Sequence, residues 1–177
     1  MTPRSLTRTM LAATALGALA IGPAAASGDS SRAAAAKKIT PAGVGQVKLG
    51  KTFAKLREQF LVGRLRPGCE LSGPNTRFAR LKAPLKGTVD FTKSSPRRAK
   101  RVTIQAGAKA RGVGIGATIS DIKTAFPKAK VDHSTETLFG ITVVKIPEDG
   151  GGRIQFAVDV DIDKTTLIAV PNIAFCE

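Results

Sequence analysis

The chain has 177 residues, a formal net charge of +15, eight Phe, and neither Trp nor Tyr. Its length suits one ordinary domain, which buries about two-thirds of the surface its unfolded chain exposes. The shortage of aromatic platforms argues against specific nucleic-acid recognition, while the charge leaves attraction to polyanions open.

Residues 1–26 carry Arg4 and Arg8 but no acid, then an apolar run over 10–21, then Ala24, Ala25 and Ala26. This is the pattern of a secretory signal peptide, removed after about Ala26, and it predicts a secreted, extracellular protein. The apolar run is too short for a membrane helix, which needs roughly 20 residues, and no later stretch reaches that length, so no transmembrane segment is expected. Residues 27–40 (SGDSSRAAAAKKIT) have almost nothing to bury and read as a disordered linker.

Residues 47–60 (VKLGKTFAKLREQF) return sixty-six positions later as 113–126 (VGIGATISDIKTAF). Val47 matches Val113, Gly50 matches Gly116, Thr52 matches Thr118, Leu56 matches Ile122 and Phe60 matches Phe126. Each copy reads as an apolar alternation, a glycine where the chain turns, a threonine able to cap, and a helix. The domain therefore divides into a first repeat over 41–108 and a second over 109–177.

Residues 61–84 read as mostly loop, with a short strand over 76–81. The alternation in 87–92 (GTVDFT) and 101–105 (RVTIQ) predicts a hairpin. Strands are likewise predicted over 138–146, 153–159 and 166–170, with the glycines of 148–152 (EDGGG) turning between the first two. The expected architecture is α+β: two tandem helix-then-antiparallel-meander repeats sharing a sheet, with the helices packed on one face.

Cys69 and Cys176 are the only cysteines, and in an exported chain the default is one disulfide between them. The alternative of a catalytic thiol needs a base in reach, and the one histidine is His133.

Charge is uneven. Residues 27–111 hold twenty Lys and Arg against four acids, about +16, whereas 112–177 hold six against nine, about −3. Arg97, Arg98, Lys100 and Arg101, with Lys93, cluster on one predicted hairpin and are the candidate residues for binding a polyanion or a partner.

Other constellations have structural readings. Residues 112–117 (GVGIGA) echo a dinucleotide-binding turn, but the repeat already explains their glycine-turn-helix order and the downstream strands read as a meander. Asp159, Asp161 and Asp163 begin like a calcium loop, yet Lys164 stands where that loop needs glycine. Asp132 and His133 lack the serine elbow or second histidine of a hydrolytic site. No cofactor and no metal is expected.

The repeated Leu49-Gly50-Lys51-Thr52 and Ile115-Gly116-Ala117-Thr118, each opening a helix that leads into antiparallel strands, resemble a family of small exported proteins. These are the β-lactamase-inhibitory proteins of actinobacteria and the related single-unit outer-membrane-assembly lipoproteins. The chain also looks like secreted actinobacterial proteins with this repeat and a cysteine at the extreme C-terminus, where Cys176 stands. The resemblance implies a non-enzymatic module that binds a protein or an anionic envelope polymer. The aromatic face through which the inhibitory proteins act is missing, and no inhibitory residue carries over. The expected function is thus an exported binding module with a basic first repeat; the alternatives are a secreted hydrolase using Asp132, His133 or the alternating acids, and an inhibitor of an extracellular enzyme.

Overall fold

Alternation of apolar and polar residues, with period two, governs most of the chain. The computed structural model describes residues 36–69, 75–147 and 152–175. The expected signal peptide, most of the expected linker, the 148–151 turn residues and Cys176 lie outside them. The last linker residues, by contrast, form a strand.

In chain order, β1 (Lys37–Thr40), β2 (Gly43–Val44) and β3 (Val47–Lys48) precede the helix α1 (Phe53–Glu58). Then come β4 (Val62–Pro67), β5 (Arg77–Leu81), β6 (Lys86–Phe91), β7 (Ala99–Ala106) and β8 (Ala108–Lys109). The second half holds α2 (Ile119–Ala125), β9 (Lys130–Asp132), α3 (Glu136–Phe139), β10 (Ile141–Pro147), β11 (Arg153–Asp159) and β12 (Lys164–Val170).

Eight strands form one sheet in the order β4-β5-β6-β7-β12-β11-β10-β9, and every neighbouring pair in it is antiparallel. The short strands make a second sheet, β3-β2-β1-β8, in which β1 and β8 run parallel. At the seam of the large sheet Val102 pairs with Val170, Thr103 with Ala169 and Ile104 with Ile168. Thr103 and Ala169 stand sixty-six residues apart, so the seam is arranged symmetrically about that pair.

The α+β expectation is corrected: the protein is mostly β, and no helical layer covers a sheet face. The three helices have only 6, 7 and 4 residues. Each of the first two buries a single side chain, Leu56 or Ile122, and the third buries none. Chain chemistry stops them early. Phe60, just beyond α1, takes a left-handed φ of 54°, and α2 ends at Phe126 against Pro127, which disfavours helical backbone before it. Residues 61–84 are corrected in part: β5 occupies the expected short strand over 76–81, while β4 occupies residues that read as loop. A register shift between Val62 and Leu65 breaks the period-two pattern there.

Positions sixty-six apart nonetheless take matching local roles. Gly50 and Gly116 sit at φ of 80° and 85°, open to glycine at little cost. Thr52 and Thr118 cap the two helices, accepting from the backbone N–H of Lys55 and Asp121 at 3.3 and 3.1 Å. Phe60 and Phe126 diverge: Phe60 is 83% exposed, while Phe126 is buried against Phe156.

One face of the large sheet carries the core, including Val89, Phe91, Val102, Ile104, Phe156 and Ile168. Ile39, Val44, Val47 and Ala108 of the small sheet join the same cluster. Burying each large side chain fully contributes roughly 1.5–3 kcal/mol. The other face of the large sheet is where the two halves differ.

Candidate functional site

Strand pairing lays matching rows of side chains across the two halves of that second face. In the first half Arg66 pairs with Phe78, Phe78 with Asp90, and Asp90 with Arg101. In the second half Asp132 pairs with Val143, Val143 with Ala157, and Ala157 with Leu167. The register shifts fall at matching places, between Asp90 and Phe91 and between Ala157 and Val158. The row Arg66, Phe78, Asp90 and Arg101 thus corresponds to the row Asp132, Val143, Ala157 and Leu167, with the charged pair of Asp90 and Arg101 standing where the second half has Ala157 and Leu167.

The second-half row is covered. Val143 and Ala157 are buried; the Ile173 backbone N–H donates to Gln155 Oε1 at 2.8 Å, and Phe175 stacks on Phe139 with centroids 4.5 Å apart. The C-terminal segment thus lies over Val143 and Ala157, and its Ala174, with Leu167, borders the cavity on the first half.

Over the first half the sheet instead opens into a cavity of about 400 Å³. Phe78, Leu167 and Pro67 give its apolar wall, and Thr88, Asp90, Arg101, Thr103 and Gln105 its polar groups. Asp90 and Arg101 form an ion pair in this lining: Arg101 Nε donates to Asp90 Oδ2 at 2.6 Å, with side chains 10% and 23% exposed. That bond uses one of the guanidinium's five donors and leaves the terminal fork, Nη1 and Nη2, for another acceptor. Exposed cations border the opening: Lys100 lines a small recess beside Asp90 and Arg101, and Arg66 and Arg80 share the face by register with Phe78 and Thr88.

The structure separates the sequence-predicted cations into two groups. Lys93 and Lys100 are exposed and available. Arg97 Nη1 donates to the carbonyls of Asn75, Thr92 and Lys93 at 3.3, 3.3 and 3.1 Å, clamping the β6–β7 loop. Arg98 donates its backbone N–H to Thr92 Oγ1 at 2.9 Å and Nη1 to the Gly50 carbonyl at 3.0 Å, tying that loop to the first turn. Arg101 is not a surface cation at all but the buried partner of Asp90. Sequence reasoning missed Asp90, Thr88, Thr103 and Gln105, because alternating polar residues in a hairpin read as a plain solvent face. A usable signal existed, since Asp90 is the only acid inside a predicted strand of the basic half.

Cys69 lies on the cavity rim, and no cysteine among the described residues is a free thiol. Its expected partner, Cys176, lies outside the described residues.

The remaining candidates stay apart from the cavity. His133 Nδ1 meets Glu136 Oε1 at 2.5 Å, but on a side chain 66% exposed, at the far edge of the sheet. Glu136 is held below its ordinary value by the Thr142 hydroxyl first and by His133 second. Asp132 is paired to Lys145, not to His133; that bond, with those from Ser134, holds its carboxyl well below the usual range. One carboxylate, on open surface, faces the imidazole.

Asp159 Oδ1 accepts from the backbone of Asp161 and Ile162, closing the β11–β12 turn, and Asp163 Oδ1 reaches the Ile119 N–H at 3.5 Å. Among the described residues no group of three or more His, Cys, Asp or Glu is placed to hold a metal ion. The 112–117 glycines form a tight turn, with Ala110 bridged to Val113, and lead through α2 into an antiparallel strand. No helix among the described residues is long and apolar enough to cross a membrane.

Comparison with protein-family models, with curated proteins and with solved structures finds no match.

Proposed function

We propose that the chain is an exported, non-enzymatic binding module that holds an anionic component of the cell envelope on the open face of β4–β7. One observation carries this reading: the first-half face holds a cavity lined by polar groups and bordered by exposed cations, whereas at the matching positions of the second half Val143 and Ala157 lie buried beneath the chain's own C-terminal segment. A sheet face that keeps an open cavity and is furnished with charge is suited to an outside partner. The charge asymmetry of the sequence and the export signal agree with it.

The test neutralises the accessible cations and spares those that hold the fold. Arg66→Gln, Arg80→Gln, Lys93→Gln and Lys100→Gln together are expected to abolish retention on purified cell envelope at low salt while circular dichroism stays unchanged. Wild-type retention is expected to fall as salt rises, since exposed charges are screened within about 8 Å at physiological ionic strength. Full retention of the quadruple variant would refute the reading.

A further inference from the structure

The geometry points to the cavity above Asp90 and Arg101 as a binding site for a single acidic sugar unit, a pyranose ring bearing one carboxylate, within an anionic glycopolymer. This rests on the reading of the open face as a polyanion-binding surface and adds the chemistry of what enters it.

The molecule contains its own control for the ion pair. The positions matching Asp90 and Arg101 are Ala157 and Leu167, so this sheet is built equally well with an apolar pair. A buried ion pair is weak as a stability device, because desolvating both charges offsets their attraction. The pair lines a cavity, where the matching Ala157 is buried, and this position assigns it to recognition.

The polar groups define the ligand. Arg101 offers its terminal fork, which matches a carboxylate in two parallel bonds. Asp90 is an acceptor beside it; it repels a bare inorganic anion but takes the hydroxyl donors of a sugar. Thr88, Thr103 and Gln105 each donate and accept, as a ring with several hydroxyls requires. Phe78 supplies an apolar wall for the ring's C–H face. Within the cavity Asp90 offsets the charge of Arg101, and Lys100 and Arg77 at the adjacent recess favour an acidic ligand over a neutral one.

The experiment titrates the folded, exported chain by calorimetry with oligogalacturonate, with a neutral galactose oligomer of equal length, and with inorganic phosphate. Saturable binding of oligogalacturonate is expected, at least about tenfold tighter than of the neutral oligomer, the factor that one added charge-assisted bond supplies. Asp90→Ala with Arg101→Leu, which copies the second-half pair, is expected to lose at least that factor and to keep its melting temperature. Thr88→Val with Thr103→Val removes two hydroxyls at nearly constant shape; it is expected to weaken the acidic oligomer and decides the matter should the first variant not fold. The inference is overturned if either variant binds like wild type while folded, if the neutral oligomer binds equally, if phosphate displaces the oligomer at equal concentration, or if no oligomer binds. Comparison of envelope retention by wild type and by the quadruple rim variant reports separately on the underlying reading: salt-sensitive wild-type retention that the variant loses, with an inert cavity, would leave that reading standing and this one refuted.

Discussion

A double-mutant cycle on Asp90 and Arg101 measures whether the pair serves the fold. The side chains are 23% and 10% exposed, so each charge depends on the other for much of its solvation. Breaking a buried pair by removing one partner costs about 3–5 kcal/mol. Asp90 keeps nearly a quarter of its exposure, which lowers the expected cost of Arg101→Leu to about 2–3 kcal/mol. Asp90→Ala strands a guanidinium on the wall of the cavity, and a similar cost of about 2–3 kcal/mol follows. The double variant installs the Ala–Leu pair that the sheet already carries at Ala157 and Leu167, and it is expected within about 1 kcal/mol of wild type. Urea unfolding at neutral pH, with midpoints compared at constant slope, reads all four proteins. The expected coupling is at least about 2 kcal/mol. Additive single costs, with coupling below about 0.5 kcal/mol, would refute the claim that the charges solvate each other in the cavity.

Three further outcomes follow from the geometry. Thr118 and Asp121 form a reciprocal box, each side chain accepting the other's backbone N–H at 3.1 and 2.9 Å, whereas Thr52 makes one 3.3 Å bond. Thr118→Ala is therefore expected to cost about 1 kcal/mol and Thr52→Ala about half that, and equal costs in urea unfolding would contradict the box. Asp132, Glu136 and Asp121 are all held below their ordinary values, of 3.8 for the aspartates and 4.5 for the glutamate: Asp132 chiefly by Lys145, Glu136 by the Thr142 hydroxyl, Asp121 by the Thr118 backbone. A depressed carboxyl stabilises in full above its unfolded value and loses that contribution as pH falls toward its folded one. Urea midpoints should thus stay level above about pH 5 and fall below about pH 4, and Lys145→Met should flatten the fall; a midpoint that rises on acidification would reverse the sign. Non-reducing mass spectrometry is expected to find Cys69 joined to Cys176, closing a loop of about a hundred residues, with reduction costing on the order of 4–5 kcal/mol on the chain-entropy account. Two free thiols would remove the bridge.

The sequence made parts of this legible through local chemistry. Gly50 with Thr52, and Gly116 with Thr118, announced two turn-and-cap sites because positive φ and a capping hydroxyl are set within a few residues. The alternation in 87–92 and 153–159 announced β6 and β11. What stayed hidden depended on distant partners. Two-residue strands such as β2 and β8 have no pattern of their own and exist because β1 pairs with both. The strand β4 was obscured by a register shift between Val62 and Leu65 and by its arginines, whereas β5 fell on the expected strand over 76–81. Helix length was overestimated because apolar spacing continues into Phe60 and Phe126, where backbone geometry has already turned. The site was legible only as a charge excess: which cations are free, and which clamp a loop or neutralise Asp90, is decided by contacts up to 48 positions apart in the chain.

The most direct test of the open face as the binding surface is lysine acetylation footprinting of the folded chain with and without purified envelope polymer. Lys100, at the recess beside the cavity, and Lys93, exposed in the β6–β7 loop, are expected to be protected by the polymer, while Lys123, Lys128 and Lys164, exposed on the second half, react at unchanged rates. Protection confined to the second half, or spread evenly over all five, would contradict the account.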